Sequence, residues 1–321
     1  MTIFTFGELT PDLILDAIES LGIRVESGLL ALNSYENRVY QFVAGDRKRY
    51  VVKFYRPQRW SKAQLLEEHA FSLELAKHDV PVVPPMVIRG QSLHHYQDYY
   101  FALFVSVGGR QFEVDNLQHL QWMGRFIGRI HLIAKGSEFI HRPVMSSEEY
   151  LRQSAAQLRT SPLIPSSLQK PFFTLLEQVI ELTETRYQSN SNIRLHGDCH
   201  PGNILWHDGP IFVDLDDCRS GPAVQDLWMM LSGDHKQQSL QMRTLVEAYE
   251  EFCDFDTRQL LLIEPLRAMR MVHYMAWLSR RWQDPAFPQA FPWFADERYW
   301  DQQICALKEQ FSALQEPVLE I

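Results

Sequence analysis

The motifs "LHGDCHPGNILW" at 195–206 and "VDLDDCRSGPAVQDLW" at 213–228 are the most informative stretches of this chain. Both place acidic or amide side chains among apolar residues. Asp198 is followed five residues later by Asn203, and Asp214 comes eleven residues after Asn203, at the end of an apolar run. The spacing of these three side chains is the strongest chemical signal in the sequence.

The residues between the two motifs predict a β-hairpin. "NILWHDG" and "PIFVDLDD" have the apolar character of short strands, and residues 207–209 form the turn between them. Phosphoryl transfer from ATP requires a carboxylate that accepts a hydroxyl proton, and an amide oxygen and a second carboxylate that hold Mg²⁺ against the phosphates. The spacing of Asp198, Asn203 and Asp214 matches the catalytic loop and the metal-binding aspartate of protein-kinase-like folds.

The composition indicates a globular protein without a nucleic-acid or membrane partner. The 321 residues are 45% apolar and 12% aromatic, which is enough for a large core divided between two lobes. The net charge is −9, and Lys and Arg are scattered along the chain. We expect a cytoplasmic location, because neither a signal peptide nor an apolar run of roughly 18 residues is recognisable. Four cysteines without a CxxC pair predict reduced thiols.

The N-terminal part predicts a small antiparallel sheet. Alternating apolar residues predict three strands from Arg24 to Tyr55, and the β-branched and aromatic run at 99–109 predicts a buried strand. Between them, Ser61 is a typical N-cap for a helix with a wide buried face. The glycine pair at 108–109 breaks the last strand, so we place the lobe boundary there.

The predicted N-terminal lobe is therefore 1–107, and the predicted C-terminal lobe is 108–321. Helical patterns dominate the second lobe from Asn116 onwards. The patterns run through "LQWMGRFIGRIHLIAKG" and through 167–188, 237–254 and 257–282. The expected fold class is α+β, with the nucleotide-binding residues in the first lobe and the catalytic loop in the second.

The two opening motifs resemble the paired motifs of the aminoglycoside phosphotransferase and choline kinase group, in which HGDxxxxN replaces the HRDxxxxN of protein kinases. The stretches "NSYENRVYQF", "VVKFYRP", "VGGRQF" and "EPLRAMRMVHYMAWLSRRW" extend the resemblance, over nearly the whole chain, to the bacterial stress response kinase A family. The resemblance implies a two-lobed protein-kinase-like fold with a small antiparallel-sheet N-lobe and a mainly helical C-lobe. It also implies that the protein uses ATP and Mg²⁺ and phosphorylates Ser or Thr of proteins in a stress response.

The resemblance assigns roles to individual residues. Asp198 corresponds to the catalytic base, and Asn203 and Asp214 correspond to the Mg²⁺ ligands. Lys53, in "VVKFY", corresponds to the lysine that holds the α and β phosphates of ATP. Asp226 resembles the acid that accepts backbone N–H bonds from the catalytic loop.

A glutamate on the helix after Lys53 should fix that lysine, and we favour Glu68 over Glu67. Only one of the two can face inward, because neighbours on a helix point about 100° apart. The segment "NSYENRV" at 33–39 occupies the place of a glycine-rich phosphate loop. The expected nucleotide contacts in this segment are backbone amides of Ser34, Tyr35, Glu36 and Asn37.

One departure from protein kinases leaves the acceptor open. Only eleven residues separate Asp214 from Asp226, so a protein-kinase activation segment does not fit. A small-molecule hydroxyl kinase of the choline kinase or aminoglycoside phosphotransferase type is therefore the alternative to a Ser/Thr protein kinase. A protein substrate should offer a flexible Ser/Thr segment. The chain's own "VMSSEEY" and "RTSPLIPSS" are polar, turn-rich candidates for self-phosphorylation.

The sequence singles out further side chains near these motifs and on the predicted helices. Asp216 either assists the metal or is a solvated turn acid. Arg267 and Arg270 lie three residues apart on an apolar helix, where they form salt bridges or bind a phosphate or an acidic substrate. Cys199, beside the catalytic aspartate, is the thiol whose oxidation would silence the enzyme. His131 is expected to satisfy a core hydrogen bond.

A zinc site is the alternative interpretation of the histidines and cysteines near the catalytic loop. Structural zinc sites usually pair ligands two to four residues apart twice over. The candidates here lack that second pair; they are His196, Cys199, His200 and Cys218. The spacing therefore argues against zinc.

Overall fold

The structure, a computed structural model, describes residues 6–189 and 191–321. The first five residues of the predicted N-terminal lobe lie outside the described residues. The strands are β1 (Leu30–Ala31), β2 (Arg38–Val43), β3 (Arg49–Phe54), β4 (His94–Tyr96), β5 (Tyr99–Val105), β6 (Arg110–Gln111), β7 (Ile193–Leu195), β8 (Ile204–Trp206), β9 (Pro210–Phe212) and β10 (Arg219–Gly221).

The α-helices are α1 (Pro11–Glu19), α2 (Lys62–Lys77), α3 (Leu117–Ala134), α4 (Ser154–Arg159), α5 (Ser166–Arg186), α6 (Gln225–Trp228), α7 (His235–Tyr249), α8 (Ile263–Arg281), α9 (Ala286–Ala290) and α10 (Glu297–Ala313). Short 3₁₀ turns and one π-helical turn, Glu148–Gln153, supplement them. Helices thus dominate from Asn116 onwards, as the sequence predicts. The predicted helix at 257–282 is divided into a 3₁₀ turn, Thr257–Leu262, and α8.

The chain forms two compact units that are not continuous in sequence. The first unit comprises the described part of Met1–Glu113, together with Phe139–Arg142 and His200–Cys218, and the remaining residues form the second. These units differ from the linear division into 1–107 and 108–321. The hairpin β8–β9 joins the first unit because β8 pairs with β6 in a three-stranded sheet.

The first unit contains the predicted antiparallel sheet. Its five strands lie in the order β1-β2-β3-β5-β4, and β3 is central, with Lys53 opposite Val39 on one side and Ala102 on the other. Alternate residues of these strands, including Phe42 and Phe54, are buried in its core. This burial explains why the period-2 pattern is so clear in the sequence.

Helix α2 begins where the sequence predicts. Ser61 is its N-cap and forms a capping box with Gln64: the Ser61 hydroxyl accepts from Gln64 N, and the Gln64 side chain accepts from Ser61 N. Such reciprocal bonds satisfy two of the backbone donors that a helix start leaves unpaired. The predicted helix start is confirmed, and α2 places Glu68 on its buried face.

The second unit is built of helices, with a two-stranded sheet of β10 and β7. Helices α3 and α7 pack closely along each other, and Gly128 of α3 lies against the backbone of Tyr249. A Cβ at Gly128 would lie 2.5 Å from the Tyr249 carbonyl oxygen. The absence of a side chain at Gly128 therefore allows this close approach of the two helices. No helix among the described residues has the length and apolarity to cross a membrane.

Replacing Gly128 with alanine is expected to destabilise the protein, because the added methyl group forces α3 and α7 apart. Overpacking of this kind costs about 1–3 kcal/mol. Thermal unfolding followed by circular dichroism should show a lower Tm. Gly108→Ala is the matched control, since a Cβ there would meet no atom within 4 Å. Equal Tm values for the two variants would contradict the close approach at Gly128.

Candidate active site

The first unit pairs the two groups that the sequence predicts for phosphate and metal binding. Lys53 Nζ, on β3, lies 2.7 Å from Asp214 Oδ1, which follows the hairpin. Lys53 is 7% exposed. Burial opposes its charge, but Asp214, Asp216 and Glu68 outweigh this and raise the pKa of Lys53 well above its usual value. The lysine is therefore a permanent cation held at the end of the hairpin.

Asp214 has an unusual backbone and an accessible side chain. Its φ of 60° lies in the left-handed region, which only a small share of non-glycine residues adopt and which Asp tolerates better than most. Its side chain remains 50% exposed although it contacts Lys53. An exposed carboxylate on a strained backbone is a common feature of functional sites.

The hairpin places Asn203 beside Asp214. The register pairs Ile204 with Phe212, and Val213 N donates a 3.1 Å hydrogen bond to Asn203 O. The two predicted metal ligands, eleven residues apart in sequence, thus lie at the same end of the hairpin. An amide oxygen and a carboxylate are ligands that suit a hard divalent cation.

Asp216 is not a solvated turn acid. It is 3% exposed. Its carboxylate accepts from Asn37 Nδ2 at 2.9 Å and from Arg59 Nη1 at 2.5 Å, and Lys53 Nζ lies 3.2 Å away. Burial alone would raise the pKa of Asp216, but Lys53, Arg59 and Arg142 lower it well below its usual value. Asp216 therefore joins the side chains of this unit in one ion cluster.

The predicted phosphate loop is fixed by Arg56. Arg56 Nη2 donates to Tyr35 O at 3.1 Å, and its Nε donates to Glu36 O at 2.8 Å. The Asn37 side chain accepts from Arg56 N at 3.0 Å and also donates to the Asp216 carboxylate. The Ser34 hydroxyl donates to Asn37 O at 3.4 Å. Hydrogen bonds of the Arg56, Asn37 and Ser34 side chains therefore hold the loop.

Glu68 and Glu67 have different surroundings. Glu68 is 4% exposed, and its Oε2 has no hydrogen-bond partner among the described residues. Burial raises the pKa of Glu68 to about 7, although Lys53 opposes the shift. Glu67 instead accepts from the backbone N–H groups of His141 at 2.8 Å and Arg142 at 2.6 Å. Glu68 is thus the glutamate that faces the charges around Lys53, and Glu67 fastens the 139–142 segment.

The second unit holds the predicted catalytic loop through Asp226. His196 N and Gly197 N donate to the Asp226 carboxylate at 2.8 and 2.9 Å, and Gln225 Nε2 donates to Gly197 O at 2.9 Å. Gly197 has φ of 85°, which glycine adopts without steric cost. The prediction that Asp226 accepts backbone bonds from this loop is confirmed. Asp198 follows directly and is partly exposed.

His131 is a buried core histidine that contacts the Asp226 carboxylate. Its Nε2 lies 3.1 Å from Asp226 Oδ2, and its Nδ1 lies 3.0 Å from the Tyr249 hydroxyl. These contacts join α3, α6 and α7, and His131 is fully buried. The expected core hydrogen bond of His131 is confirmed.

Arg267 and Arg270 of α8 have separate partners. Arg270 Nη1 donates to Asp198 Oδ1, whereas Arg267 Nε lies 3.2 Å from Glu264 Oε2. The Arg267 guanidinium also lies 5.1 Å from the ring centroid of Trp228. Both arginines form ion pairs, but only Arg270 contacts the predicted catalytic carboxylate.

Cys199 lacks the properties of a redox-sensitive thiol. It is 1% exposed. Burial, with the nearby Asp226 and Asp198, raises the pKa of the Cys199 thiol well above its usual value. A reactive cysteine needs an accessible thiolate. The structure therefore contradicts the hypothesis that oxidation of Cys199 silences the protein.

Sequence reasoning missed the arginines of the ion cluster. Arg59 bonds Asp216 and also Asp217 at 2.6 Å, and Arg142 Nε donates to Cys218 O at 2.7 Å. Arg56 and Arg59 follow Lys53 in "VVKFYRPQRW", so the run of three cations beside a buried strand was a usable signal. No local pattern marks Arg142.

Glu68→Gln should change how stability depends on pH. Between the ordinary carboxyl pKa of 4.5 and about 7, folded Glu68 keeps a proton that the unfolded chain has lost. This contribution makes the parent less stable as pH rises through that window, by about 3 kcal/mol at most. Glutamine removes the contribution, so the variant should lose less stability than the parent over this range in urea unfolding.

Glu67→Gln is the matched control with the opposite sign. Burial alone would raise the pKa of Glu67, but the backbone N–H donors of Ile140, Arg142 and His141 lower it overall. Ionised Glu67 therefore stabilises the fold above its unfolded pKa, and this stabilisation is lost as pH falls. The same pH response in both variants would contradict the two environments.

Asp226→Asn should loosen the catalytic loop, because a neutral amide is a weaker acceptor for two N–H donors and His131. We expect faster amide hydrogen exchange at His196 and Gly197 and a loss of about 1–3 kcal/mol in stability. Asp208→Asn, in the exposed hairpin turn, is the control. Unchanged exchange at both amides would show that Asp226 does not hold the loop.

Comparison with known proteins places the chain in a family. Residues 29–263 match the phosphotransferase enzyme family. A stress response kinase A from Escherichia coli is 54% identical over 319 residues, which are 99% of this chain and 97% of the relative. A protein from Salmonella typhimurium named serine/threonine protein kinase RdoA is 52% identical over 322 residues, with the same shares covered.

A solved structure shares the fold. The amicoumacin kinase in complex with AMP-PNP, Ca²⁺ and Ami superposes with a TM-score of 0.73 at 19% identity, over 94% of this chain and 93% of that one. The predicted fold class, an α+β protein-kinase-like fold, is confirmed. This chain belongs to the phosphotransferase enzyme family and, within it, to the stress response kinase A relatives, so it is a kinase-type phosphotransferase.

Proposed function

We propose that the protein transfers the γ-phosphoryl group of ATP, with Mg²⁺, to Ser or Thr hydroxyls of proteins, its own included. The proposal takes its acceptor class from the relative named a serine/threonine protein kinase, which is 52% identical over 99% of this chain. The name of the Escherichia coli relative supports a role in a stress response. The cytoplasm, where ATP is abundant, is the proposed location.

The observation that carries the proposal is the contact of Lys53 with Asp214. A buried lysine on a sheet strand and an exposed carboxylate, 161 residues apart in sequence, meet at 2.7 Å. Lys53 would bind the phosphates, and Asp214 with the Asn203 amide oxygen would hold Mg²⁺. Their oxygen ligands suit this ion, which would neutralise charge on the phosphates.

Asp198 would act on the acceptor. Its carboxylate accepts the proton of the hydroxyl group as that oxygen forms a bond to the γ phosphorus, and the bond to ADP breaks. The Asp226 carboxylate accepts hydrogen bonds from the backbone N–H groups of His196 and Gly197, the two residues before Asp198. The loop therefore positions Asp198. The Lys53 ammonium would hold the phosphates in place during transfer.

A small-molecule hydroxyl kinase is the second candidate, and one observation favours it. The residues between Asp214 and Asp226 are taken up by a 3₁₀ turn, by β10 and by the start of α6. This segment offers no activation loop on which a folded protein could dock. A protein substrate must then present its hydroxyl on an extended, flexible segment.

The chain's own candidate acceptors differ in exposure. In "RTSPLIPSS", Thr160, Ser166 and Ser167 are exposed, but Ser161 is 7% exposed and cannot be reached without local unfolding. In "VMSSEEY", Ser146 and Ser147 are half-buried. Thr160 and the start of α5 are therefore the proposed sites of self-phosphorylation.

The test is incubation with γ-labelled ATP and Mg²⁺, with and without cell extract, followed by separate analysis of proteins and small molecules. We expect label on phosphoserine or phosphothreonine. Asp198→Ala should lower turnover by a factor on the order of 10² to 10⁴ while ATP binding survives. Lys53→Met should raise the ATP requirement, and Asp214→Asn should change the Mg²⁺ dependence.

Arg243→Gln, an exposed change on α7, is the control and should retain the parent's turnover. Label confined to a small metabolite, with no protein modified, would replace the protein-kinase proposal with the second candidate. Near-normal turnover in Asp198→Ala would remove this residue from the mechanism.

A further inference from the structure

An arginine contacts the proposed catalytic base. Arg270, on α8, donates from Nη1 to Asp198 Oδ1, and the side chains of the two residues are 42% and 25% exposed. Exposed ion pairs of this type contribute about 0–1 kcal/mol to stability. The fold therefore gains little from Arg270, and its position beside the reacting carboxylate calls for a chemical role.

The pair changes the charge that an acceptor meets. Asp198 alone would attract a cationic acceptor such as an amino alcohol or an amino sugar. With Arg270 at hydrogen-bond distance, the net charge of the pair is zero, so an ammonium group gains little from Asp198 and is repelled by the guanidinium. The site is thus poorly suited to a cationic small molecule.

Arg270 also keeps donors available for a ligand. A guanidinium has five N–H donors in a planar fork. Within residues 6–189 and 191–321, the hydrogen-bond partner of Arg270 is Asp198. This bond uses the Nη1 group of the guanidinium. The other donors lie on a side chain that is substantially open to solvent.

The neighbouring arginine serves as an internal comparison. Arg267, one turn earlier on α8, has its charge matched by Glu264 at 3.2 Å and its plane set against Trp228. The Arg267 side chain therefore contacts Trp228 at the end of α6. Arg270 has no such second carboxylate in the described part of the chain, and its fork remains suited to a carboxylate or phosphate brought by a ligand.

We infer that Arg270 is a specificity residue that binds an acidic side chain next to the acceptor Ser or Thr. One edge of the fork bonds Asp198, and the other binds the flanking carboxylate, which places the hydroxyl beside the base. This inference rests on the proposed function and narrows its acceptor to Ser/Thr segments flanked by Asp or Glu. Basic flanking residues are disfavoured by repulsion from Arg270.

The test compares three peptides that differ only in the residues beside one Ser: Asp, Gln or Lys. The parent should prefer the Asp peptide over the Gln peptide by roughly tenfold in kcat/KM, mainly through KM, and should use the Lys peptide least. Arg270→Gln should lose the preference, and Arg270→Glu should reverse it in favour of Lys. Arg270→Lys, which keeps the charge without the fork, should restore part of it.

Arg280→Gln, an exposed change on the same helix, is the matched control and should keep the parent's preference. Melting curves of all variants separate folding defects from altered specificity. Equal use of the three peptides by the parent, or an unchanged preference in Arg270→Glu, would overturn the role of Arg270 and leave the protein-kinase proposal intact.

If neither a peptide nor a protein is labelled, the proposed function fails instead. The same variants are then compared on small hydroxyl compounds that carry a carboxylate or an ammonium group. Preference of the parent for the carboxylate compound, lost in Arg270→Gln, would retain Arg270 as the residue that selects an anionic acceptor. Preference for the ammonium compound would overturn it.

Discussion

The first unit depends on one buried carboxylate, that of Asp216. Burying a charge is costly unless partners with good geometry surround it, and removing one partner from such a cluster typically costs 3–5 kcal/mol. Asp216 has Lys53, Arg59 and Asn37 as partners, which come from β3, from the segment before α2 and from the loop before β2. Asp216, at the end of the hairpin, therefore fixes these three segments. As a consequence, Lys53 is held next to Asp214.

In the second unit, backbone N–H groups bind the carboxylate of Asp226. Asp226 accepts hydrogen bonds from two backbone N–H groups, and its carboxylate also contacts His131. The catalytic loop is fixed without adding a cation to it. A separate cation, Arg270 of α8, contacts Asp198, the residue that follows this part of the loop.

The sequence predicts local features well, because local contacts produce them. The alternation that forms β2, β3 and β5, the Ser61 cap of α2 and the hairpin at 204–212 all depend on neighbouring residues. Asp198, Asn203 and Asp214 stand out because their types and spacing match the groups that phosphoryl transfer from ATP requires. The family resemblance assigns them roles. The two compact units do not follow a single boundary along the sequence, because the hairpin pairs with β6 and belongs to the first unit.

The fold class, the family and the chemistry of phosphoryl transfer can be predicted from the sequence, because periodicity, caps and motif spacing are properties of short stretches. The tertiary structure was needed to show that Asp216 is buried among cations, that Cys199 is buried, that Glu68 is buried whereas Glu67 bonds backbone N–H groups, and that Arg270 contacts Asp198. These outcomes depend on burial and on partners up to 179 residues away, as in the bond from Asn37 to Asp216. Desolvation and ion pairing act on such distant neighbours, and no local pattern in the chain records them.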